Sequence, residues 1–431
     1  MSADKKAIGA RLRAEREATP YWSRAEMARR LRAAADPREL PDIPHVQGLA
    51  SMIKEWERGD HIPSGRYRRL YARALKVAEE DLFAVSSKAP QQSSTEAAPR
   101  HEPAADVVDL ASWLQQTNIG DDTLDYLRSS TRRLAIDYVR RPPLDVIDDA
   151  VMLQRQVTAL LRDGRQRLGQ TRHLLAISAE LFALLNLLQG DVGRYALADV
   201  YGYAAWTCAQ EADSDAARAL VLCAQTKTAR WEERYEDAAA LARRGFELAP
   251  PGEPKVLLAA SQAAALQLQG DIDAARRALM DTERARDEVD SQRPVADAWS
   301  CTRARQATYA LQVGLGARDP RAVLRDVRTA DDAWAEGDPW VYGTWAQVRI
   351  GAALAHVMNG EPEAAATELQ PVFDLSPEYR VVTIVGRMTE VGRRLGHSRY
   401  KGDPHAAALR ERIAVFQAGS LESAASPPEV P

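Results

Sequence analysis

Three times along this chain a long aliphatic residue is followed by a polar residue, a glycine and an acid: Leu188-Gln-Gly-Asp191, Leu268-Gln-Gly-Asp271 and Met358-Asn-Gly-Glu361. Each stretch closes one helical segment and opens another rich in alanine. Trp231-Glu-Glu-Arg-Tyr235 and Leu315-Gly-Ala-Arg-Asp-Pro320 do the same job between them. Glycine ends a helix because it enters the left-handed conformation without a Cβ penalty. The period is irregular, roughly 37 to 46 residues, the size of a two-helix unit that buries its apolar face on its neighbours. Ala238 and Ala239, Ala274 and Ala275, and Ala364 and Ala365 leave room for close helix approach. Residues 106–419 are therefore expected to form a row of helical hairpins with no strand.

The same stretch begins with a helix carrying Leu124, Leu127, Leu134 and Tyr138 that ends at Arg140-Arg-Pro-Pro143, and a second that runs to Asp163-Gly164. Leu409, Ile413 and Phe416 predict a last amphipathic helix between Pro404 and Gly419 that caps the row. Residues 420–431 are expected to be disordered. Upstream, residues 84–105 hold three prolines and no aromatic residue, so they cannot bury a face and read as a flexible linker. Random-coil scaling gives this linker a span on the order of 25 Å.

Residues 1–83 are patterned differently. Ile8 and Leu12 lie on the inner side of a helix expected over 8–18, and Ser23-Arg-Ala-Glu26 has the form of a capping box opening a second. Leu49, Ile53 and Trp56 fall at i, i+4 and i+7 on one face of a third helix, which Gly59 stops. Ser64 is placed to cap a fourth, whose Tyr67, Leu70, Tyr71, Ala74 and Leu75 keep helical spacing, and Glu79-Glu-Asp-Leu-Phe83 makes a short fifth. Between the second and third helices, residues 36–44 carry three prolines. This segment either rests on a nucleic-acid backbone, rests on the fourth helix, or is a tolerated surface insertion.

On the third helix Gln47, Ser51, Lys54, Glu55 and Arg58 face away from the apolar stripe. An ordinary surface helix would also be polar there. Hydrogen-bonding groups with two cations are nevertheless what a major-groove reader needs. Lys54, Arg58 and Ser51 suit either base edges or phosphates, Glu55 suits cytosine or solvent, and Glu57 is expected to pair internally. Charge points the same way. Residues 1–90 hold 18 Lys and Arg against 13 Asp and Glu, a net of +5 in a chain whose total is −4. A basic module joined to an acidic one suggests an anionic partner for the first.

Leu12, Ser23-x-x-Glu26-x-Ala28, Ile53-x-x-Trp56-Glu57-x-Gly59, Pro63, Ala74-Leu75-x-Val77 and Leu82-Phe83 together resemble the XRE (Cro-type) helix-turn-helix family, over residues 8–83. The departure is the inserted turn at 36–44. The hairpin row resembles degenerate tetratricopeptide repeats. More narrowly, Thr123-Leu-Asp-Tyr-Leu127, Ala135-x-x-Tyr138, Leu160-Leu-Arg-Asp-Gly-Arg165, Leu184-Leu185, Gly190-Asp191 and Trp231 resemble actinobacterial XRE regulators with tetratricopeptide-like tails, over 106–415. These likenesses imply an all-α fold: a five-helix, lambda-repressor-like domain over 1–83, then an α-solenoid over 106–419. They also imply that the outward residues of the third helix read base edges.

Catalysis finds no support, since no glycine-rich phosphate loop, H-E-x-x-H or G-x-S-x-G pattern occurs. No cofactor or metal is expected, because the seven histidines are scattered and Cys208, Cys223 and Cys301 lack ligand spacing. Those cysteines suit a reducing compartment. The chain has no apolar run approaching the roughly 18 residues of a membrane helix and no signal-like start, so it is expected to be cytoplasmic, and its Arg and Ala bias bacterial. Polar and aromatic residues on the first helix of each hairpin, above all Gln225, Arg230, Gln262, Arg303, Gln306 and Trp345, are candidates to line a concave surface for a peptide or small-molecule effector. Lys227, Tyr309, Gln347 and Arg349 widen that set. The expected function is a transcriptional regulator that binds double-stranded DNA as a homodimer. The alternative is a repeat-protein adaptor that works chiefly through protein–protein contacts.

Overall fold

The computed structural model describes residues 2–17, 22–36, 39–83, 110–289 and 295–419. Every regular element within them is a helix. The chain divides into two compact units, Met1–His101 and Glu102–Pro431. The boundary falls inside the proline-bearing segment 84–105, which lies outside the described residues, as does the tail 420–431.

In the smaller unit, α1 (Ser2–Glu17), α2 (Arg24–Ala33), α3 (Val46–Arg58), α4 (Gly65–Leu75) and α5 (Glu79–Phe83) surround one core. Leu12, Met27, Leu31, Leu49, Ile53, Leu70 and Tyr71 are essentially solvent-free in it. Trp56 packs on Tyr67 and Tyr71, with ring centroids 5.0 and 6.1 Å apart, fixing α3 to α4. A buried ion pair ties the back of α3 to α1: Arg16 Nε donates to Glu57 Oε1 at 2.5 Å, and Arg24 Nε donates to Glu57 Oε2 at 2.8 Å. Glu57 thus pairs internally, as its sequence context suggested.

Several local expectations change. The first helix starts at Ser2 rather than at residue 8. Ser23 does accept from the Glu26 amide at 3.1 Å, but the Glu26 carboxylate pairs forward with Arg29 instead of reaching back. Ser64 sits at the N-cap of α4, yet its hydroxyl makes no capping bond. The segment between α2 and α3 forms a single 3-10 turn, Leu40–Asp42, and lies on α4: Arg66 Nη2 donates to the Glu39 carbonyl at 2.6 Å. From the other side Arg32 Nη1 donates to the Ile43 and Pro44 carbonyls at 2.7 and 2.8 Å. Of the three roles open to the insertion, the contacts show this one.

The larger unit opens with α6 (Asp121–Asp137) and α7 (Pro143–Asp163). Six hairpins follow: α8 (Leu168–Asp191) with α9 (Tyr195–Glu211), α10 (Asp215–Trp231) with α11 (Tyr235–Leu248), α12 (Glu253–Leu268) with α13 (Ile272–Asp287), α14 (Arg303–Gly316) with α15 (Pro320–Ala335), α16 (Tyr342–Asn359) with α17 (Pro362–Phe373), and α18 (Val382–Leu395) with α19 (Pro404–Ala418). The first helices of the hairpins pack in sequence as an inner row, α8 on α10 and so on to α16 on α18, and the row curls until α18 meets α8. Alanine makes this possible: Ala229, Ala238, Ala239 and Ala265 form a core patch of their own. α8 is long and apolar enough to cross a membrane by length and composition, and 72% of that stretch is buried against its neighbours.

The hairpin turns share one backbone form, and it corrects the register of the sequence repeat. Gly193, Glu233, Gly270, Arg318 and Gly360 all have positive φ, each two residues before the second helix of its pair. In each the next amide bonds back across the helix end, as Arg194 to the Gln189 carbonyl at 2.8 Å and Asp271 to the Leu266 carbonyl at 3.0 Å. Gly270-Asp271 and Gly360-Glu361 occupy this turn, but Gly190-Asp191 does not; it is still inside α8. Gly190 is small for another reason. A Cβ there would enter the ring of Trp231.

Candidate nucleic-acid interface and the cavity of the larger unit

On α3 the three-to-four-residue spacing of Leu49, Ile53 and Trp56 commits one face to the core. The structure leaves Gln47, Ser51, Lys54, Glu55 and Arg58 exposed, with Gln47 inside the helix. Four of them, at 47, 51, 54 and 58, form one stripe along the helix axis, and Glu55 stands beside it. The Ser51 hydroxyl donates to the Gln47 carbonyl at 3.2 Å, leaving its lone pairs outward. Arg58 is drawn to Asp60 at 3.2 Å, an exposed pair that contributes little and is easily exchanged for a phosphate. Lys54 has no ion-pair partner among the described residues. His45 provides no side-chain cap, so the first amides of α3 remain as donors. Gly59, at φ +78°, ends the stripe, and its close approach to Lys5 and Lys6 of α1 excludes a side chain.

The larger unit holds a cavity of about 660 Å³ on its inner row, lined by residues of α10, α14, α16 and α18, by Tyr138 and by the segment 296–302. Of the six favoured ligand candidates, Arg230 lies in its wall. The others do not. Gln225 donates to the Gly202 carbonyl at 3.0 Å, and Gln306 bridges Arg286 and Glu283. Trp345 packs on Trp340, while Arg303 and Gln262 lie off the lining. Among the wider set Lys227, Tyr309 and Gln347 face the cavity, whereas Arg349 pairs with Glu368 and Asp331. The misses are errors of helical phase. At 100° per residue, choosing Gln306 in place of Arg305 turns the side chain from the lumen to the neighbouring helix.

Sequence reasoning named Lys227 but missed the buried partners it has here. Tyr138 Oη donates to Asp191 Oδ2 at 2.6 Å, and Lys227 Nζ donates to Tyr138 Oη at 2.5 Å and stands over the Trp231 ring at 4.5 Å. Burial raises the Asp191 carboxyl above its usual range and pulls the Lys227 ammonium down to about 8 against the pull of Asp191. The signal for Asp191 was its place in the turn motif, where it read as a helix opener. A second missed feature is the segment after residue 294. Its Ala298 amide bonds the Ala135 carbonyl at 2.9 Å, and Trp299 Nε1 donates to Glu180 Oε1 at 3.2 Å. Burial pushes the Glu180 carboxyl up to about 7 despite that bond. Arg305 Nη1 holds the same segment through the Ala298 and Ser300 carbonyls.

Among the described residues no group of three His, Cys, Asp or Glu converges as a metal site. The three thiols are free and pushed up by burial, Cys208 to about 11 and Cys301 to about 12, which makes them poor nucleophiles. By fold, then, this is an all-helical protein of two units, one presenting an exposed polar helix face and the other a partly open cavity on its inner row. Its sequence matches no protein-family model and no curated protein.

Proposed function

We propose that this protein is a cytoplasmic, bacterial DNA-binding transcriptional regulator. The smaller unit is read as an XRE-type, lambda-repressor-like helix-turn-helix domain, with α3 in the major groove. The larger unit is read as a tetratricopeptide-like solenoid that dimerises and senses a ligand. The observation that carries this reading is the α3 stripe: Gln47, Ser51, Lys54 and Arg58 exposed in line, on a helix whose opposite face is locked in the core. The net charge of +5 over residues 1–90 supports an anionic partner. One such unit makes too few base contacts for tight binding, so two copies on a two-fold site are expected.

Selection of genomic DNA fragments by the purified protein tests this. A recurring two-fold motif is expected. Lys54→Ala with Arg58→Ala should weaken binding to it by roughly 1–3 kcal/mol per lost base contact, with a shallower salt dependence and an unchanged melting temperature. Retention that shows no motif and vanishes in moderate salt would instead favour the protein–protein adaptor.

A further inference from the structure

The cavity of the larger unit contains two cations, Arg230 and Arg387, that form no direct ion pair among the described residues. Arg387, half-buried in α18, makes no hydrogen bond or ion pair among the described residues. Arg230 stacks its guanidinium 5.6 Å from the Tyr309 ring, and its buried Nη1 has no hydrogen-bond partner. The wall's carboxylates are mostly engaged elsewhere. Asp191 takes the Tyr138 hydroxyl, Asp297 accepts the Trp299 and Ser300 amides at 2.9 and 2.8 Å, and Glu390 is held by Arg394 at 2.6 Å. Glu233 lies at the exposed rim. Burial brings the Arg387 guanidinium down to about 10 against the pull of Glu390, helped by the neighbouring charges of Arg230 and Arg394. A buried guanidinium nitrogen without an acceptor, as at Arg230 Nη1, costs stability and is kept where something else supplies the acceptor. A third orphan lies nearby: Gln347 Oε1 is buried without a donor, while its amide nitrogen reaches the Thr383 carbonyl.

We propose that this cavity binds a small organic acid, its carboxylate or phosphate held by Arg230 and Arg387, with a hydroxyl or amine of the same molecule donating to Gln347 Oε1. Size and shape agree. About 660 Å³ suits a metabolite-sized ligand. The concave side is not an open groove for an extended chain, because α18 meets α8 and the 296–302 segment lies across the inner row on Ala135 and Glu180. Val341, Val381 and Val382 supply an apolar wall for the body of the ligand. Guanidinium groups suit either acid, since both offer the paired oxygens that the planar fork matches. This deepens the sensor half of the reading above. Occupancy itself is measured without DNA, so the two can fail separately.

The test is thermal unfolding of the full-length protein with millimolar benzoate, salicylate, phenyl phosphate and the neutral benzamide as probes. The three anions are expected to raise the melting temperature and benzamide to leave it unchanged. The order of benzoate and phenyl phosphate separates carboxylate from phosphate. Arg387→Gln and Arg230→Gln should each weaken the anions by about tenfold or more, the loss of a charged hydrogen bond. Arg387→Gln should also melt no lower than the parent without ligand, because it removes an uncompensated charge. An equal shift with benzamide, no shift with any anion, or undiminished shifts in both variants would overturn the proposal. DNA affinity measured with and without salicylate then bears on the regulator reading alone, since an anion that binds without altering DNA affinity leaves the site standing and removes the sensor.

Discussion

The two units solve the same problem with opposite materials. The smaller one packs large side chains around a single centre, and Ala28 alone among its described core residues is an alanine. The larger one repeats a hairpin in which alanines alternate with leucine, valine and isoleucine in the core, and it buries polar groups on its inner row. A small core leaves little surplus, so each contact in the first unit carries a large share of its stability. In the stacked unit each hairpin depends on its neighbours, and defects stay local. The difference also sorts the candidate functions. The smaller unit buries its ionic groups as a matched pair, Arg16 with Glu57, and presents its other polar residues on the surface, while the larger unit gathers orphaned polar atoms of Arg230 and Gln347 around one cavity.

The largest effect that could break this contrast is expected at Glu57. Glu57→Ala takes from buried Arg16 its one buried carboxylate partner and leaves it the half-exposed Glu17 at 2.8 Å and the Trp22 carbonyl, which costs up to roughly 3–5 kcal/mol, a large part of what a unit this size has. Hydrogen exchange resolved to α3 should rise sharply while that of α12 and α14 stays unchanged. Equal protection loss in both units would mean that they do not unfold independently.

Next comes Glu180 beneath the inward segment. Its carboxyl holds a proton up to about pH 7 in the fold and loses it near 4.5 when unfolded, so the fold binds more protons between those values and loses stability as pH rises through them. Glu180→Gln keeps an acceptor for Trp299 without the charge. It should leave stability unchanged at pH 4 and raise it by up to about 3 kcal/mol at pH 8. Parallel melting curves for parent and variant from pH 4 to pH 8 would show that the segment leaves Glu180 hydrated.

How much of this was legible in the sequence follows from the same contrast. Helices, turns and the exposed polar stripe of α3 depend on local rules, so Leu49, Ile53, Trp56 and Gly59 declared α3 without help. The all-helical class was likewise plain from alanine-rich segments between turn signals. The cavity wall was not, because it is set by which way each inner helix is rotated. That rotation depends on neighbours distant in sequence, as in the bond from Tyr138 to Asp191. Arg305 and Arg387 had no local signature, and the 296–302 segment carries neither a periodicity nor a turn motif that announces burial.

The smallest effects sharpen the register correction itself, because two glycines that look equivalent in sequence are kept for different reasons. Gly190→Ala puts a methyl into the Trp231 ring beside Lys227, and overpacking of this kind costs about 1–3 kcal/mol. Gly270 has φ +88° and open space where a side chain would go. Glu233 and Arg318 already hold the same turn position with φ of 60° and 54°. Gly270→Asn should therefore cost no more than about 1 kcal/mol, the ordinary penalty for a left-handed residue that tolerates it. Urea titrations of the two variants decide the matter. If Gly190→Ala proved as mild as Gly270→Asn, Gly190 would be a turn residue after all, and α8 would end three residues earlier than the structure places it.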